Sequence, residues 1–331
     1  MQPPYLLFLG AETHIGNAKT GAGLAHWRSE LCIGQHKLPE GTIDLGLEEL
    51  ELATAVSRGA KTLVIGVAPH GGSIDDSWLP VIFKALECGL NIAAGLHERL
   101  NDHPKISCIA KQYNCQLYDV RQPTEKFSVA SGDKRSGKRL LTVGSDCAVG
   151  KKYSALAIEK EMRARNINAD YRATGQTGVF ISGGGFSIDA VVADFISGAV
   201  ETLSPDNDDE HWDIVEGQGS LFHPSYAAVT VGLIHGTQPD VLVLCHDASR
   251  TCIQDTPNYP IVEFSECMDG YLAIARLTNK NVYFAGICVN TSMLSDKEAQ
   301  EYLENLESKY QLPCCDPVRN GVSNIVDNLG L

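Results

Sequence analysis

Short apolar runs alternate with amphipathic segments in the first part of this chain. Four of these runs predict buried strands, at 5–10, 62–69, 90–96 and 116–120. Leu, Ala, Val and Phe recur at helical spacing over 46–58 and 77–88, which predicts two helices. Strands that alternate with helices favour a parallel sheet with helices on both faces. We therefore predict a first α/β domain over residues 1–125.

The alternation restarts after a polar segment, 126–138, whose Gly, Ser and Lys residues predict a linker. Beyond it, the predicted strands lie at 139–146, 167–175, from Trp212 onward, 240–247 and 281–290. The predicted helices lie at 151–165, 186–201, 224–235, 266–278 and 295–308. A second α/β domain, again with a mainly parallel sheet, is therefore expected over 139–331.

Composition and charge exclude several classes of function. The formal net charge of -14 argues against nucleic acid or an anionic membrane as the main partner. No apolar run approaches the roughly 18 residues that a membrane span needs, and no basic residue precedes the first apolar run as it would in a signal peptide. The 11 cysteines include no C-x-x-C pair, so we expect reduced cysteines in a cytoplasmic protein.

One stretch after a predicted strand has the features of a phosphate-binding loop. In "VGSDCAVGKKY", we match Gly144 to the first glycine of the pattern G-x-x-x-x-G-K-[ST] and Gly150-Lys151 to its end, just before a predicted helix. Backbone N–H groups, the helix N-terminus and the lysine all favour an anion there. Lys152, however, replaces the hydroxyl residue that normally holds magnesium. The predicted phosphate-binding residues are Gly144, Ser145, Asp146, Cys147, Ala148, Val149, Gly150, Lys151 and Lys152.

Two further strand ends carry candidate acid–base groups. Glu216 follows a predicted strand in "DIVEGQGSL", where phosphate-loop folds place an acidic residue facing the phosphates. We predict that Glu216 is a general base, with His246 of "CHDASR" as the alternative. Arg250 of the same segment is predicted to hold a substrate carboxylate.

A glycine-rich segment, "RATGQTGVFISGGGFSIDAV", is predicted to expose backbone N–H groups and small polar side chains to a second anion. Its candidate substrate-binding residues are Thr174, Gln176, Thr177 and Asp189. His70 and His97 follow strands of the first domain and are candidates for the same role. Solvated loop residues, or dipole stabilisation in the case of Asp189, are the simpler interpretations.

Together, these motifs resemble a known family. "GSDCAVGK" is similar to the phosphate loop of dethiobiotin synthetase. With "TGQTG", "EGQGSLFHPSY", "CHDASR", "GVAPHGG" and "AAGLHERL", it resembles a two-domain family long catalogued as of unknown function. The characterised members of that family are D-glutamate N-acetyltransferases of D-amino-acid catabolism. The resemblance covers nearly the whole chain and implies an N-terminal Rossmann-like domain and a C-terminal P-loop NTPase-like domain.

The resemblance implies acetyl-CoA as co-substrate, D-glutamate as acceptor and no required metal. It also suggests a homo-oligomer and an N-acyl-glutamate racemase as a partner in the pathway. A thioester is already activated, so acetyl transfer to an amine needs neither ATP nor magnesium, and Lys152 is then harmless. Loop spacing alone equally allows an ATP-dependent carboxylate kinase or ligase of the dethiobiotin synthetase type, and a nucleotide sensor without catalysis is a third possibility.

Overall fold

The computed structural model describes residues 1–68 and 71–330, and the chain divides into two compact units. The first unit comprises Met1–Thr124 together with Gly175–Ala190. The second comprises Glu125–Thr174 and Val191–Leu331. The contiguous ranges expected from the sequence therefore differ from the structure in one respect. The chain leaves the second unit after Thr174 and returns to it at Val191.

The first unit contains a parallel sheet in the order β2-β1-β3-β4-β5. Its strands are β1 (Tyr5–Phe8), β2 (Cys32–His36), β3 (Thr62–Ile65), β4 (Asn91–Ala94) and β5 (Leu117–Asp119). Its helices are α1 (Lys19–Trp27), α2 (Leu52–Ser57), α3 (Leu79–Glu87) and α4 (Pro104–Gln112), and α6 (Gln176–Ser182) joins them from the returning segment. The strands β1, β3 and β4 are buried along their whole length, as expected of a sheet covered on both faces.

The prediction of a helix over 46–58 was only half right, because the helix begins at Leu52. The residues before it continue the sheet instead. The Gln35 amide of β2 donates to the Glu48 carbonyl, and the Leu50 amide donates back to the Gln35 carbonyl. β2 is an edge strand, and its free backbone groups pair with residues 48–50. The helix-like spacing of these residues could not show this pairing.

Helix α1 was missed because Gly21 and Gly23 weaken its helical signal. Gly21 serves close packing rather than a dinucleotide. Its amide donates to the Gly66 carbonyl at 2.8 Å, and a Cβ at Gly21 would lie 3.3 Å from that oxygen. The glycines therefore let α1 lie directly against the end of β3. Helix α4 was also missed.

The glycine-rich segment 172–191 is not the open run of backbone N–H groups that we predicted. It forms helix α6, which packs on α1 within the first unit, followed by a short 3-10 turn at Ile188–Ala190. The predicted helix over 186–201 is likewise wrong in its first half, since only Ile196–Leu203 (α7) is α-helical.

The second unit contains a parallel sheet in the order β11-β10-β9-β6-β8-β7. Its strands are β6 (Lys138–Gly144), β7 (Ala169–Arg172), β8 (Trp212–Val215), β9 (Val241–Asp247), β10 (Tyr283–Asn290) and β11 (Cys314–Cys315). Its helices are α5 (Lys151–Ala164), α7, α8 (Ala227–Thr237), α9 (Phe264–Ala275), α10 (Asp296–Tyr310) and α11 (Ser323–Asp327). The predicted fold class, two α/β domains with parallel sheets, is confirmed.

The predicted linker is packed into the second unit rather than extended. Arg135 is buried and its guanidinium donates to the carbonyls of Ser204 and Gly236, at the ends of α7 and α8. Burial lowers the pKa of Arg135 to about 10. None of the described helices has both the length and the apolar composition that crossing a membrane requires.

Candidate functional site

The candidate site lies at the switch point of the second sheet. Strand β6 runs between β8 and β9, and the chain connects outward from it in both directions. Three carboxyl ends therefore meet there: the loop 144–151 after β6, Glu216 after β8, and His246 near the end of β9. Ligands of open parallel sheets bind at such a crevice, because the connecting loops diverge there.

The loop has the backbone of an anion cradle. Ala148 and Gly150 adopt positive φ values of 54° and 99°, which turn successive peptide groups toward the loop interior. Within the described parts of the chain, the backbone amides of Ala148, Val149 and Gly150 donate no hydrogen bond to a protein acceptor. Helix α5 begins at the next residue. Unpaired N–H groups at a helix N-terminus favour a phosphate or carboxylate.

The segment from Gly144 to Lys151 is one residue longer than the pattern G-x-x-x-x-G-K to which we matched it. Five residues separate Gly144 from Gly150, so Ser145 stands where the phosphate-loop pattern has its first glycine. Gly144 instead ends β6, and its carbonyl accepts hydrogen bonds from the hydroxyls of Ser220 and Tyr271 at 2.9 and 2.8 Å. These two hydroxyls fix the base of the loop.

Lys151 lies inside the loop rather than in solvent. Its ammonium donates to the Asp146 carbonyl at 2.8 Å, and the residue is 6% exposed. Burial lowers the pKa of Lys151, while the nearby charges of Asp146 and Glu216 act in the opposite direction. A Cβ at Gly217 would lie 2.9 Å from the Lys151 Cδ, so the lysine stem runs under the turn that follows Glu216.

If the loop binds the acetyl-CoA that the motif resemblance implies, Lys151→Ala should weaken that binding by about 10–100-fold, because a charge-assisted hydrogen bond contributes roughly 1.5–3 kcal/mol. Titration calorimetry measures this effect, with a thermal melt to check folding. The matched control is Lys297→Ala, whose side chain is 87% exposed on α10. Equal affinities for the wild type and Lys151→Ala would show that the loop serves another ligand.

Glu216 is held on both its backbone and its side chain. Its Oε2 accepts from the Tyr171 hydroxyl at 2.8 Å and from the Thr174 amide at 3.1 Å. Its amide donates to the Arg172 carbonyl, and its own carbonyl accepts from the Thr174 hydroxyl at 2.5 Å. Glu216 as a whole residue is 4% exposed. Thr174 is thus committed to Glu216, and its predicted contact with substrate stays a prediction.

His246 is paired with the loop. Its Nδ1 lies 2.8 Å from the Ser145 hydroxyl, and its ring packs edge-on against Phe264. Burial lowers the pKa of His246 to about 4, so the ring is neutral near pH 7. A neutral ring bonded to the first loop residue supports the loop geometry, whereas Glu216 supplies a negative charge that attracts an ammonium.

Arg250 is engaged within the protein. Its Nη1 donates to the fully buried Asp146 Oδ2 at 2.7 Å, and its Nη2 donates to the Gln254 Oε1 at 3.0 Å. The Asp146 carboxylate also accepts from the amides of Cys147 and Gln254. The arginine therefore fixes the loop through Asp146, a partner that the sequence did not indicate.

Asp146, Cys147 and His223 have potential metal-ligand atoms within 4.8 Å of one another, the one such group of the described residues. Two contacts disfavour a cation. Asp146 is already paired with Arg250. The His223 Nδ1 accepts from the Ser225 amide at 3.1 Å, so a neutral ring carries its proton on Nε2 and offers an N–H donor. Burial also raises the pKa of the Cys147 thiol, which opposes the thiolate that a metal needs.

The remaining predicted residues belong to the first unit. Gln176 and Asp189 both bond to one guanidinium, that of Arg121 after β5, which the sequence analysis missed. Thr177 is buried, with its hydroxyl 3.1 Å from that of Thr20. His97 is exposed. His70 lies outside the described residues. The substrate contacts assigned to these side chains stay predictions.

Tyr171 was missed as well. It lies on β7 in "INADYRATG", where an aromatic residue on a half-buried strand is expected as core. Only the pairing of β7 with β8 brings its hydroxyl to Glu216, forty-five residues away along the chain. No local pattern marks that contact.

The fold and site define a two-unit α/β protein whose second sheet carries, at its switch point, a loop with the backbone of an anion cradle. Two family descriptions match the chain: "Domain of unknown function (DUF1611_C) P-loop domain" over 128–326 and "Domain of unknown function (DUF1611_N) Rossmann-like domain" over 40–123. The chain belongs to the DUF1611 family, as the resemblance in its motifs suggested.

Its relatives include proteins with assigned activities. A D-glutamate N-acetyltransferase of Pseudoalteromonas sp is 46% identical, and one of Tritonibacter scottomollicae is 48% identical, each over 99% of both chains. Among solved structures, a DUF1611 family protein from Anabaena variabilis is 32% identical and superimposes with a TM-score of 0.87, covering 98% of each chain.

Proposed function

We propose that this protein transfers the acetyl group of acetyl-CoA to the amino group of D-glutamate. The two relatives named for this reaction match nearly the full chain. The observation that carries the proposal is the loop after β6, whose N–H groups at Ala148, Val149 and Gly150 point to an anionic ligand. Coenzyme A carries a pyrophosphate and a 3′-phosphate, either of which suits residues 144–152.

The reaction needs a base and a site for developing negative charge. The ammonium of D-glutamate gives a proton to Glu216, and the free amine attacks the thioester carbonyl carbon. Backbone N–H groups or Lys151 stabilise the resulting oxyanion, a contribution of roughly 3–4 kcal/mol in comparable sites. When the carbon–sulfur bond breaks, the departing thiolate takes that proton from Glu216. The attacking nitrogen then loses its second proton to Glu216 as the amide forms, and this proton passes to solvent. No phosphoryl transfer occurs, and the acetyl group passes directly to the amine.

A thiol-release assay tests this proposal. The protein is incubated with acetyl-CoA and either D- or L-glutamate, and free coenzyme A thiol is followed with a chromogenic disulfide. We expect release with D-glutamate, with N-acetyl-D-glutamate found by mass spectrometry. No release with either enantiomer, together with formation of ADP when ATP and magnesium are supplied, would favour the ATP-dependent carboxylate kinase or ligase instead.

Chelators are expected to leave acetyl transfer unchanged. Lys152 stands where a phosphate loop has its magnesium-binding hydroxyl, and Asp146 is paired with Arg250. The rate is measured after dialysis against EDTA and again after magnesium or zinc is restored. Loss of activity in EDTA with recovery in one metal would contradict this expectation and identify the metal.

A further inference from the structure

The carboxylate of Glu216 lies in a pocket formed by the end of β7. The Tyr171 hydroxyl and the Thr174 amide both donate to the same oxygen, Oε2, at 2.8 and 3.1 Å. Both donors belong to the short segment 171–174, and the Thr174 hydroxyl also fixes the Glu216 carbonyl. A carboxylate held by donors on one oxygen keeps a single orientation, which proton transfer over a defined distance requires.

We infer that Tyr171 is a positioning residue for the reaction, which orients Glu216 and holds it in the ionised state that accepts the substrate proton. This inference rests on the proposed function, in which Glu216 is the base. Tyr171 acts through Glu216 and needs no contact with either substrate. Its role differs from that of Thr174, whose backbone N–H would survive substitution by any residue except proline.

Tyr171 is suited to be a permanent donor. Burial raises its pKa well above the usual value, and the negative charge of Glu216 raises it further. The phenol therefore stays protonated near pH 7. A neutral O–H donating to a carboxylate stabilises the charged form, so its loss should make Glu216 easier to protonate.

Other charged groups face the same pocket and must be considered. Lys151 on α5 is close enough for the charge of Glu216 to raise the lysine pKa. The negative charge of Glu159, on the same helix, also raises the pKa of Tyr171, and Glu159 is itself paired with Arg163 at 2.7 Å. None of these groups changes in a Tyr171→Phe variant, so a shift in pH dependence reports the lost hydroxyl.

The test measures kcat/KM for D-glutamate as a function of pH in the full-length protein. The fall in kcat/KM at low pH that Glu216→Gln abolishes is assigned to protonation of Glu216, and we call it the acid limb. Tyr171→Phe should move this limb upward by about one pH unit, the equivalent of a lost hydrogen bond to a charged group. The Kd of acetyl-CoA should stay unchanged. Tyr259→Phe is the matched control, since Tyr259 is exposed in the same unit.

The possible outcomes distinguish the positioning role of Tyr171 from the assignment of Glu216 as the base. A limb that stays in place in Tyr171→Phe, while Glu216→Gln abolishes it, overturns the role of Tyr171 and leaves Glu216 as the base. A Glu216→Gln variant that keeps the wild-type limb overturns the base assignment and the inference with it. Should Tyr171→Phe not fold, incorporation of 3-fluorotyrosine replaces it. The more acidic phenol is a stronger donor and should move the limb downward, and an unmoved limb again overturns the inference.

Discussion

Glu216→Gln is expected to lower kcat for D-glutamate acetylation by about 10²–10⁴-fold, the usual loss when a general acid–base group is removed. Glutamine keeps the size of the side chain and can still accept from Tyr171 and Thr174, so the pocket should survive. It has no negative charge and does not take a proton from the substrate ammonium. Steady-state kinetics with both substrates varied measures the change.

The same variant also tests where the reacting atoms lie. Glu216 is next to Lys151, and the pantetheine arm of coenzyme A, roughly 15 Å when extended, separates the phosphates from the thioester. Glu216 can act on the amine only if this arm folds back toward the loop. A raised KM for acetyl-CoA with unchanged kcat would instead mean that Glu216 acts on the phosphates. Glu210→Gln, with an 87% exposed side chain, is the control.

Gly217→Ala is expected to destabilise the second unit by about 3 kcal/mol, the upper end of the usual cost of overpacking. A Cβ at this position would lie 1.7 Å from the Thr142 carbonyl of β6. The turn after β8 would have to move away from β6, and with it Glu216 and the stem of Lys151. Urea unfolding measures the loss in free energy of unfolding, and amide hydrogen exchange in β8 shows whether the loss is local to this strand. The rate of acetyl transfer should fall as well.

The control for this prediction is Gly184→Ala. Apart from its two chain neighbours, no described residue would have a heavy atom within 4 Å of the new Cβ at Gly184, and the backbone there has no positive φ. We expect unfolding of this variant to match the wild type within about 0.5 kcal/mol. A Gly217→Ala protein as stable as Gly184→Ala would contradict the close approach of β8 and β6.

The sequence determined the class of fold and the central element of the site. The buried central parts of β6, β9 and β10 are mostly apolar, because both faces of a parallel sheet are covered. The loop 144–151 could be recognised because its glycine and lysine must follow one another at a helix N-terminus. Glu216 and His246 could be predicted as candidates because strand ends of such sheets meet at one edge.

Tertiary structure alone decided how those residues are held. Tyr171 with Glu216, Arg250 with Asp146, and Arg121 with Gln176 and Asp189 are contacts between residues that are far apart along the chain. A pattern along the sequence carries information about neighbours three or four residues apart, or two apart in a strand. It carries none about which strands pair, so the hydrogen-bond partners of a site residue become visible only when the sheet order is known. For the same reason, the sequence could not show that Gly175–Ala190 packs with the first unit.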